Sequence, residues 1–139
     1  MAVTKFYIKN PCVLVKTTDV SAYVKQVTVT LHKDELDTTA SGDAGHTQIP
    51  GFSKDTIALD LYQDKDFTVL DEILWEIYAD EQAVALEVTP SGSTLSESNP
   101  GWEGNGKLYD YVPLKEAVGA VAMVSPTFTI DGKLNRIGT

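Results

Sequence analysis

The sequence predicts a mainly β domain with one α-helix packed on a sheet. Alternation of apolar and polar residues, the period of a half-buried strand, recurs along most of the chain. A single stretch, which begins near Phe67, changes to the 3.6-residue period of a helix. Residues that favour turns (Gly, Pro, Asn and Asp) separate these segments.

A single domain accounts for the whole sequence. The 139 residues, 42% of them hydrophobic, suffice for a core without disulfide or metal support. The lone Cys12 excludes an internal disulfide, and its apolar neighbours indicate a buried thiol; a reactive or metal-bound thiol is the alternative. No run approaches the ~20 apolar residues of a membrane span, and the first residues lack a signal-peptide pattern. Folding in a reducing cytoplasm fits these observations.

The net charge of −9 comes from 20 acidic and 11 basic residues. It argues against a sequence-reading nucleic-acid binder, because such proteins neutralise phosphates with basic side chains. The acids are dispersed along the chain and do not form a tail. This distribution serves solubility, or it lines a surface that nucleic acid passes without binding.

The first part of the chain consists of predicted strands. Residues 4–9 alternate weakly, as a strand or an arm, and Asn10-Pro11 ends them. Residues 12–16 form a short apolar strand. A clear alternation begins at Tyr23 and extends toward Thr39. It puts Val27, Val29 and Leu31 on one face and Thr28, Thr30 and His32 on the other.

A glycine-rich loop follows at residues 40–48. A loop of this length in a small β domain is often functional or an assembly arm. Pro50-Gly51 then predicts a turn. Residues 56–62 form the next strand, with three apolar side chains on one face: Ile57, Leu59 and Leu61.

The predicted helix runs from about Thr68 to Ala79. Its apolar residues fall on one stripe: Leu70, Ile73, Leu74, Ile77 and Tyr78. Thr68 and Asp71 have the spacing of a capping box, which favours a start near Thr68. Trp75 lies to one side of the stripe, either as a rim residue under a neighbouring loop or as a contact anchor for another subunit.

The remaining segments again predict strands. Residues 83–89 form one, and a polar loop follows at 90–101. Residues 102–112 contain Gly104-Asn105-Gly106, which predicts a turn or a bulge. Residues 118–130 are the longest strand candidate. Asp131-Gly132 then predicts a tight hairpin that returns along residues 133–137.

Chemical motifs are missing from the sequence. It has no phosphate-binding loop, no dinucleotide-binding motif, no zinc-protease motif and no nucleophile elbow. His32 and His46 are too few for a zinc site. Asp60, Asp64 and Asp66 could hold calcium, but they lack the spacing of an EF-hand, and Asp64 and Asp66 suit the N-terminus of the predicted helix. Asp34, Glu35 and Asp37 could supply a glycosidase pair, but acids are common in this sequence and plain surface acidity is favoured. We therefore expect no enzyme and no cofactor.

The order of the motifs resembles the tail tube protein (major tail protein) family of long-tailed bacteriophages. Leu36-Asp37-Thr38-Thr39 precedes a glycine-rich loop, and Ile49-Pro50-Gly51-Phe52 precedes a strand. A helix, a strand and a polar loop come next, and Thr127-Phe-Thr-Ile-Asp-Gly132 closes the series. The resemblance extends from about Tyr23 to Gly132.

The resemblance implies a β-sandwich or half-barrel of the phage tail tube type, with the helix packed on a sheet. It also implies a structural virion protein, assembled in the host bacterial cytoplasm, that forms stacked hexameric rings around a tape-measure protein. Tail terminator and tail-tip proteins are the other implied partners. DNA would pass through an acidic lumen without specific binding, and no membrane is involved.

Under this resemblance, residues 1–16 form an N-terminal arm or strand and residues 40–48 an assembly loop. The candidate subunit-interface residues are Asp37, Thr38, Thr39, Gly42, Gly45, His46 and Trp75. The candidate lumen acids are Asp34, Asp37 and Asp60. The composition also suggests that the assembly loop orders only when rings stack.

Two alternatives stay open. The first is another tail protein on the same fold, such as a tail terminator or a tail-tip protein. The second is a carbohydrate-binding β-sandwich that would use aromatic side chains as stacking platforms: Trp75, Trp102 and Tyr109.

Overall fold

A computed structural model describes residues 8, 10–63, 67, 69–92, 95–97 and 99–138. Most of the strand or arm predicted at residues 4–9 lies outside them. The described strands are β1 (Cys12–Val15), β2 (Thr18–Asp19), β3 (Val24–Thr30), β4 (Lys33–Asp37), β5 (Gln48–Ser53), β6 (Thr56–Tyr62), β7 (Val84–Thr89), β8 (Gly101–Lys107), β9 (Met123–Val124), β10 (Thr127–Ile130) and β11 (Asn135–Ile137). The helix α1 spans Leu70–Asp80, and a 3-10 turn spans Ser21–Tyr23.

The main sheet is antiparallel and curls into a half-barrel, so the predicted mainly β fold with one helix is confirmed. Its strand order is β2-β1-β7-β8-β10-β6-β3, with β11 beside β8 and β9 beside β6. Strands β4 and β5 stand apart as a two-stranded sheet, called the ribbon below.

The core follows the alternation of the sequence. Ile57, Leu59 and Leu61 of β6 are buried, and Phe128 of β10 pairs with Ile57 in register. The helix adds its apolar stripe to the same buried cluster, through Leu70, Leu74 and Ile77. One face of the sheet is therefore covered by apolar side chains and by the helix.

The helix boundaries differ slightly from the prediction. Thr68 lies outside the described residues, and Val69 occupies the N-cap position without a side-chain cap hydrogen bond. The helix begins at Leu70 and ends at Asp80, one residue beyond the predicted end. Asp71 lies in the first turn, where a negative charge is favourable to the helix dipole.

The prediction of a turn or bulge at Gly104-Asn105-Gly106 is wrong, because all three residues lie inside β8. A Cβ atom on Gly106 would lie 2.7 Å from Cδ1 of Leu86, and one on Gly104 would lie 2.9 Å from Cδ2 of Leu134. The glycines thus leave room for core side chains that cross over the strand.

The prediction of one long strand at residues 118–130 is also wrong for the first half of that range. Only Met123–Val124 and Thr127–Ile130 are strands, and residues 118–122 are irregular and exposed. The prediction of a hairpin at Asp131-Gly132 is wrong too, because the strands on either side of it do not pair with each other. Strands β10 and β11 both pair with β8, one beyond the other, because Asp131 N–H donates to the Asn105 carbonyl at 2.7 Å and keeps the chain on β8.

The alternation from Tyr23 toward Thr39 divides into two strands that belong to different sheets. Strand β3 ends at Thr30, and β4 begins at Lys33 in the ribbon. The turn predicted at Pro50-Gly51 is wrong, because both residues lie within β5 beside a bulge. A bulge in an edge strand tolerates the missing N–H donor of proline.

Candidate assembly surface

The ribbon has two different faces. In its register Leu36 lies opposite Ile49, and a Cβ atom on Gly51 would lie 3.1 Å from Cγ of Leu36, so these residues share one face. The other face is mostly polar or charged: Lys33, Glu35, Asp37, Gln48 and Pro50. A two-stranded antiparallel ribbon places cross-strand partners on one side. The ribbon is therefore amphipathic.

The apolar face of the ribbon is open to solvent. Leu36 is 48% exposed and Ile49 is 51% exposed, while Phe52 at the bulge is 87% exposed. An isolated two-stranded ribbon is at best marginally stable in water. Contiguous exposed apolar side chains of this kind mark interaction surfaces.

The ribbon tip, residues 38–47, is closed by its own hydrogen bonds. Thr38 N–H donates to the Thr47 carbonyl at 2.8 Å, and Thr47 N–H donates to Oγ1 of Thr39 at 2.8 Å. The Thr39 hydroxyl and N–H, hydrogen-bonded to the Asp37 carboxylate, lower the pKa of Asp37. Six of the seven predicted interface residues lie on this tip or at its base, all exposed: Asp37, Thr38, Thr39, Gly42, Gly45 and His46. That they contact another subunit stays a prediction, as does ordering on stacking.

The base of the ribbon is fixed by Asp55, which sequence reasoning did not single out. Its side chain is buried, with 4% exposure. Oδ1 accepts the N–H of His32 at 3.0 Å, and Oδ2 accepts the N–H of Leu134 at 2.7 Å. The Asp55 carbonyl also accepts Ile130 N–H. This one residue joins the start of the ribbon to the segment between β10 and β11.

Trp75, the seventh interface candidate, lies apart on the outer side of the helix. Its side chain is 57% exposed, and its ring centroid lies 6.1 Å from that of Tyr78 at an angle of 35°. Trp102 lies on β8 in a different cleft, with Val27 and Val88. The structure therefore does not bring the two tryptophans into one sugar-stacking platform.

The candidate lumen acids divide between two surfaces. Asp34 and Asp37 belong to the ribbon, whereas Asp60 lies on the polar face of the main sheet and accepts a hydrogen bond from Ser125 Oγ at 2.7 Å. The same face carries Glu87 and Glu103, which are direct partners in the β7–β8 register. Like charges opposite one another destabilise a sheet, so this pair has a cost to folding. Val84, Leu86 and Val88 alternate along β7 with their side chains toward the core. This pattern in the sequence is enough to place Glu87 on the opposite, polar face.

A hydrogen bond ties the segment after β8 to the helix. The Tyr111 hydroxyl donates to Oδ1 of Asp71, and Gln63 Nε2 donates to the Pro113 carbonyl at 3.3 Å. Burial is the main cause that raises the pKa of Tyr111 well above its ordinary value, and the Asp71 carboxylate adds to it.

We expect Tyr111→Phe to lower the free energy of unfolding by about 1 kcal/mol at neutral pH, because the hydroxyl loses its hydrogen bond to Asp71. Since the folded protein retains the phenol proton that the unfolded chain releases near pH 10, this stabilisation is present below about pH 10 and is lost as the pH rises further. Urea unfolding from about pH 8 to pH 11 measures both effects. Tyr109→Phe, at an exposed tyrosine, is the control. Equal alkaline losses in Tyr111→Phe and the parent protein would contradict this assignment.

The described acidic side chains, histidines and cysteine do not form a metal site. No group of three or more His, Cys, Asp or Glu side chains is placed to hold a metal there, and Asp64 and Asp66 lie outside that part of the chain. Asp34 instead lies 3.8 Å from His32 Nε2 and 3.9 Å from Lys54 Nζ, in a small ion cluster at the ribbon base. Cys12 is buried, and burial raises its pKa. None of the described helices is long and apolar enough to cross a membrane.

Solved structures show that this chain has the tail tube fold. A chain of the SPP1 tail tube superposes with a TM-score of 0.73 at 10% identity, over 94% of this chain and 77% of that one. A chain from the virion of a native gene transfer agent particle gives 0.72 at 13% identity, over 96% and 99%. A chain from the PVC sheath/tube terminator of an extracellular contractile injection system gives 0.72 at 12% identity, over 99% of each. The predicted resemblance is confirmed at the level of the fold.

Comparison of the sequence alone does not assign the chain to a family. No protein-family model matches the chain, and no curated protein matches it.

Proposed function

We propose that this chain is the repeating subunit of a phage-type tail tube. One observation carries the proposal: a half-barrel of the tail tube fold leaves an amphipathic ribbon and the edge strand β3 without partners among the described residues. A monomer gains nothing from exposed apolar side chains and an open strand edge. A ring that repeats the same contact uses both.

The proposed assembly is a stack of rings, hexameric by resemblance, around a tape-measure protein. In it the chain is one domain, with residues 1–16 as an arm or strand and residues 40–48 as the assembly loop. Interface contacts come from the tip residues named above and from Trp75. Tail terminator and tail-tip proteins close the two ends, the virion tail is the final location, and assembly takes place in the host cytoplasm.

The lumen surface follows from charge. Asp34 and Asp37 on the ribbon and Asp60 on the main sheet remain the candidate lumen acids, and Glu87 and Glu103 join Asp60 on the polar sheet face. At physiological salt the Debye length is about 8 Å, so only acids on the wall itself repel phosphate. The excess of 20 acids over 11 bases supports a wall that DNA passes without binding. No catalytic role is proposed.

Electron microscopy of the purified protein at rising concentration, together with sedimentation, tests the proposal. We expect rings or hollow tubes. Protein that stays monomeric on its own is offered the tape-measure and initiator proteins in a second experiment. Failure to join tubes there would contradict a tube subunit.

A tail terminator on the same fold is the second candidate. The similarity to the PVC sheath/tube terminator, which equals that to the gene transfer agent protein by TM-score, favours keeping it. A terminator would give rings that bind the end of a tube and do not stack on one another.

A further inference from the structure

An apolar groove lies between the edge strand β3 and the strands β7 and β8. It is lined by Val27 and Val29 of β3, Val88 of β7 and Trp102 of β8, with three prolines and Ile8 completing the lining, and its volume is about 420 Å³. We call it the mouth groove. Val27 and Val29 are only half-buried there, although they belong to the face of β3 that points toward the core.

We propose that the mouth groove of one copy receives the apolar face of the ribbon of a second copy. This inference rests on the proposed tube and names the two surfaces that join its subunits. The same chain carries an unpartnered apolar ribbon face, with Leu36 and Ile49, an exposed Phe52 at its bulge, and an apolar groove with space for side chains of that size.

The strand pairing supports this occupant. Strand β3 forms one wall of the groove and pairs only with β6 among the described strands, so its other edge is open over Val24–Thr30. A ribbon strand that enters the groove also reaches the backbone groups of this edge. Addition of a strand to an open edge supplies main-chain hydrogen bonds, while side chains in the groove supply specificity.

The charges are complementary as well. The groove continues past Val27 into a second cleft that contains Lys25, an exposed lysine. The ribbon strand β4 is acidic, with Asp34, Glu35 and Asp37 against Lys33. Asp34 already belongs to the ion cluster at the ribbon base, so Glu35 and Asp37 are the acids outside that cluster. A contact between two different surfaces of one chain is head-to-tail, and such contacts generate rings or open helical polymers.

Cysteine crosslinking between assembled copies tests this contact. In a Cys12→Ala background, protein with Ile49→Cys is mixed with protein carrying Val29→Cys, and a short bifunctional maleimide is added after assembly. Each copy then has a single thiol, so a crosslink cannot form within one copy and must join two copies. Thr28→Cys, on the opposite face of the same strand, is the matched control.

We expect crosslinked heterodimers with Val29→Cys and a yield about tenfold lower with Thr28→Cys, because adjacent strand residues point to opposite faces. Lys25→Glu should raise the concentration needed for assembly about tenfold relative to Lys133→Glu, which changes the net charge equally at another exposed lysine.

Tubes without a crosslink, or with equal crosslinking from both positions, would overturn the docking contact and leave the tube function intact. A crosslink that appears only after removal of residues 1–7 would assign the groove to the chain's own first residues, which also overturns the proposal. Absence of any assembly, with tape-measure and initiator proteins present, would overturn both the contact and the tube.

Discussion

Asp55→Ala should lower the free energy of unfolding by about 3 kcal/mol, because the His32 and Leu134 N–H groups lose their acceptor and each unpaired donor costs roughly 1–3 kcal/mol where it is shielded from water. Urea unfolding below the assembly concentration measures the loss. Asp131→Ala is the matched control, because Asp131 is an exposed aspartate three residues from Leu134. Its effect should stay within about 0.5 kcal/mol.

Asp55→Asn tests whether the two carboxylate oxygens matter as hydrogen-bond acceptors, because it keeps the size of the side chain and replaces one oxygen by an NH₂ group. An amide keeps one oxygen but presents an NH₂ group to one of the two backbone donors, so we expect a loss nearly as large as that of alanine. If Asp55→Ala cost less than Asp131→Ala, the buried carboxylate would have no role in fixing the ribbon base.

Replacement of the tip residues 38–47 by Asn-Gly should abolish tube formation and leave the subunit folded. Asp37 and Gln48 are direct partners in the ribbon, and a two-residue Asn-Gly turn joins such partners in a tight hairpin. Because the tip bonds mainly to itself, we expect the free energy of unfolding to change by less than about 1 kcal/mol.

Electron microscopy and sedimentation measure the loss of tubes in this variant. Ala44→Ser is the control, because it changes the composition of the tip without changing its length, and it should assemble normally. Tubes of ordinary length from the shortened protein would exclude the tip as the assembly loop.

The periodicity of apolar residues correctly predicted those elements in which the apolar positions of the sequence are also the buried ones. Strand β6 alternates cleanly, and its apolar residues are buried as expected; the helix stripe behaved in the same way. The Cys12–Val15 strand was found because its run is short and apolar, with a proline just before it. These elements need little information from distant parts of the chain.

Errors arose where a distant neighbour decides the conformation. Gly106 looks like a turn residue in isolation, but it is required by Leu86 on the next strand. Asp131-Gly132 looks like a hairpin, but β8 holds both flanking strands. Within residues 118–122 only Val118 and Val121 favour a strand, and the segment has no described strand to pair with.

The candidate site shows the same division. The tip was predicted because its glycines and its length are visible in sequence. Asp55 was missed because its two partners lie 23 and 79 residues away, and nothing nearby distinguishes it from the other acids. Glu87 was within reach of the alternation rule, whereas its partner Glu103 required the register of β7 with β8.

The position of β10 in the sheet has a consequence for biosynthesis. In the described sheet β10 alone connects β8 to β6, so the early strands β3 and β6 join β1, β7 and β8 only through residues 127–130. While a ribosome translates the preceding 126 codons, these two groups of strands have no completed sheet. Folding is dominated by contacts between distant residues and is expected to be slow. A nascent chain therefore cannot complete the sheet that carries the groove until residues 127–130 have been synthesised and have paired with β8 and β6.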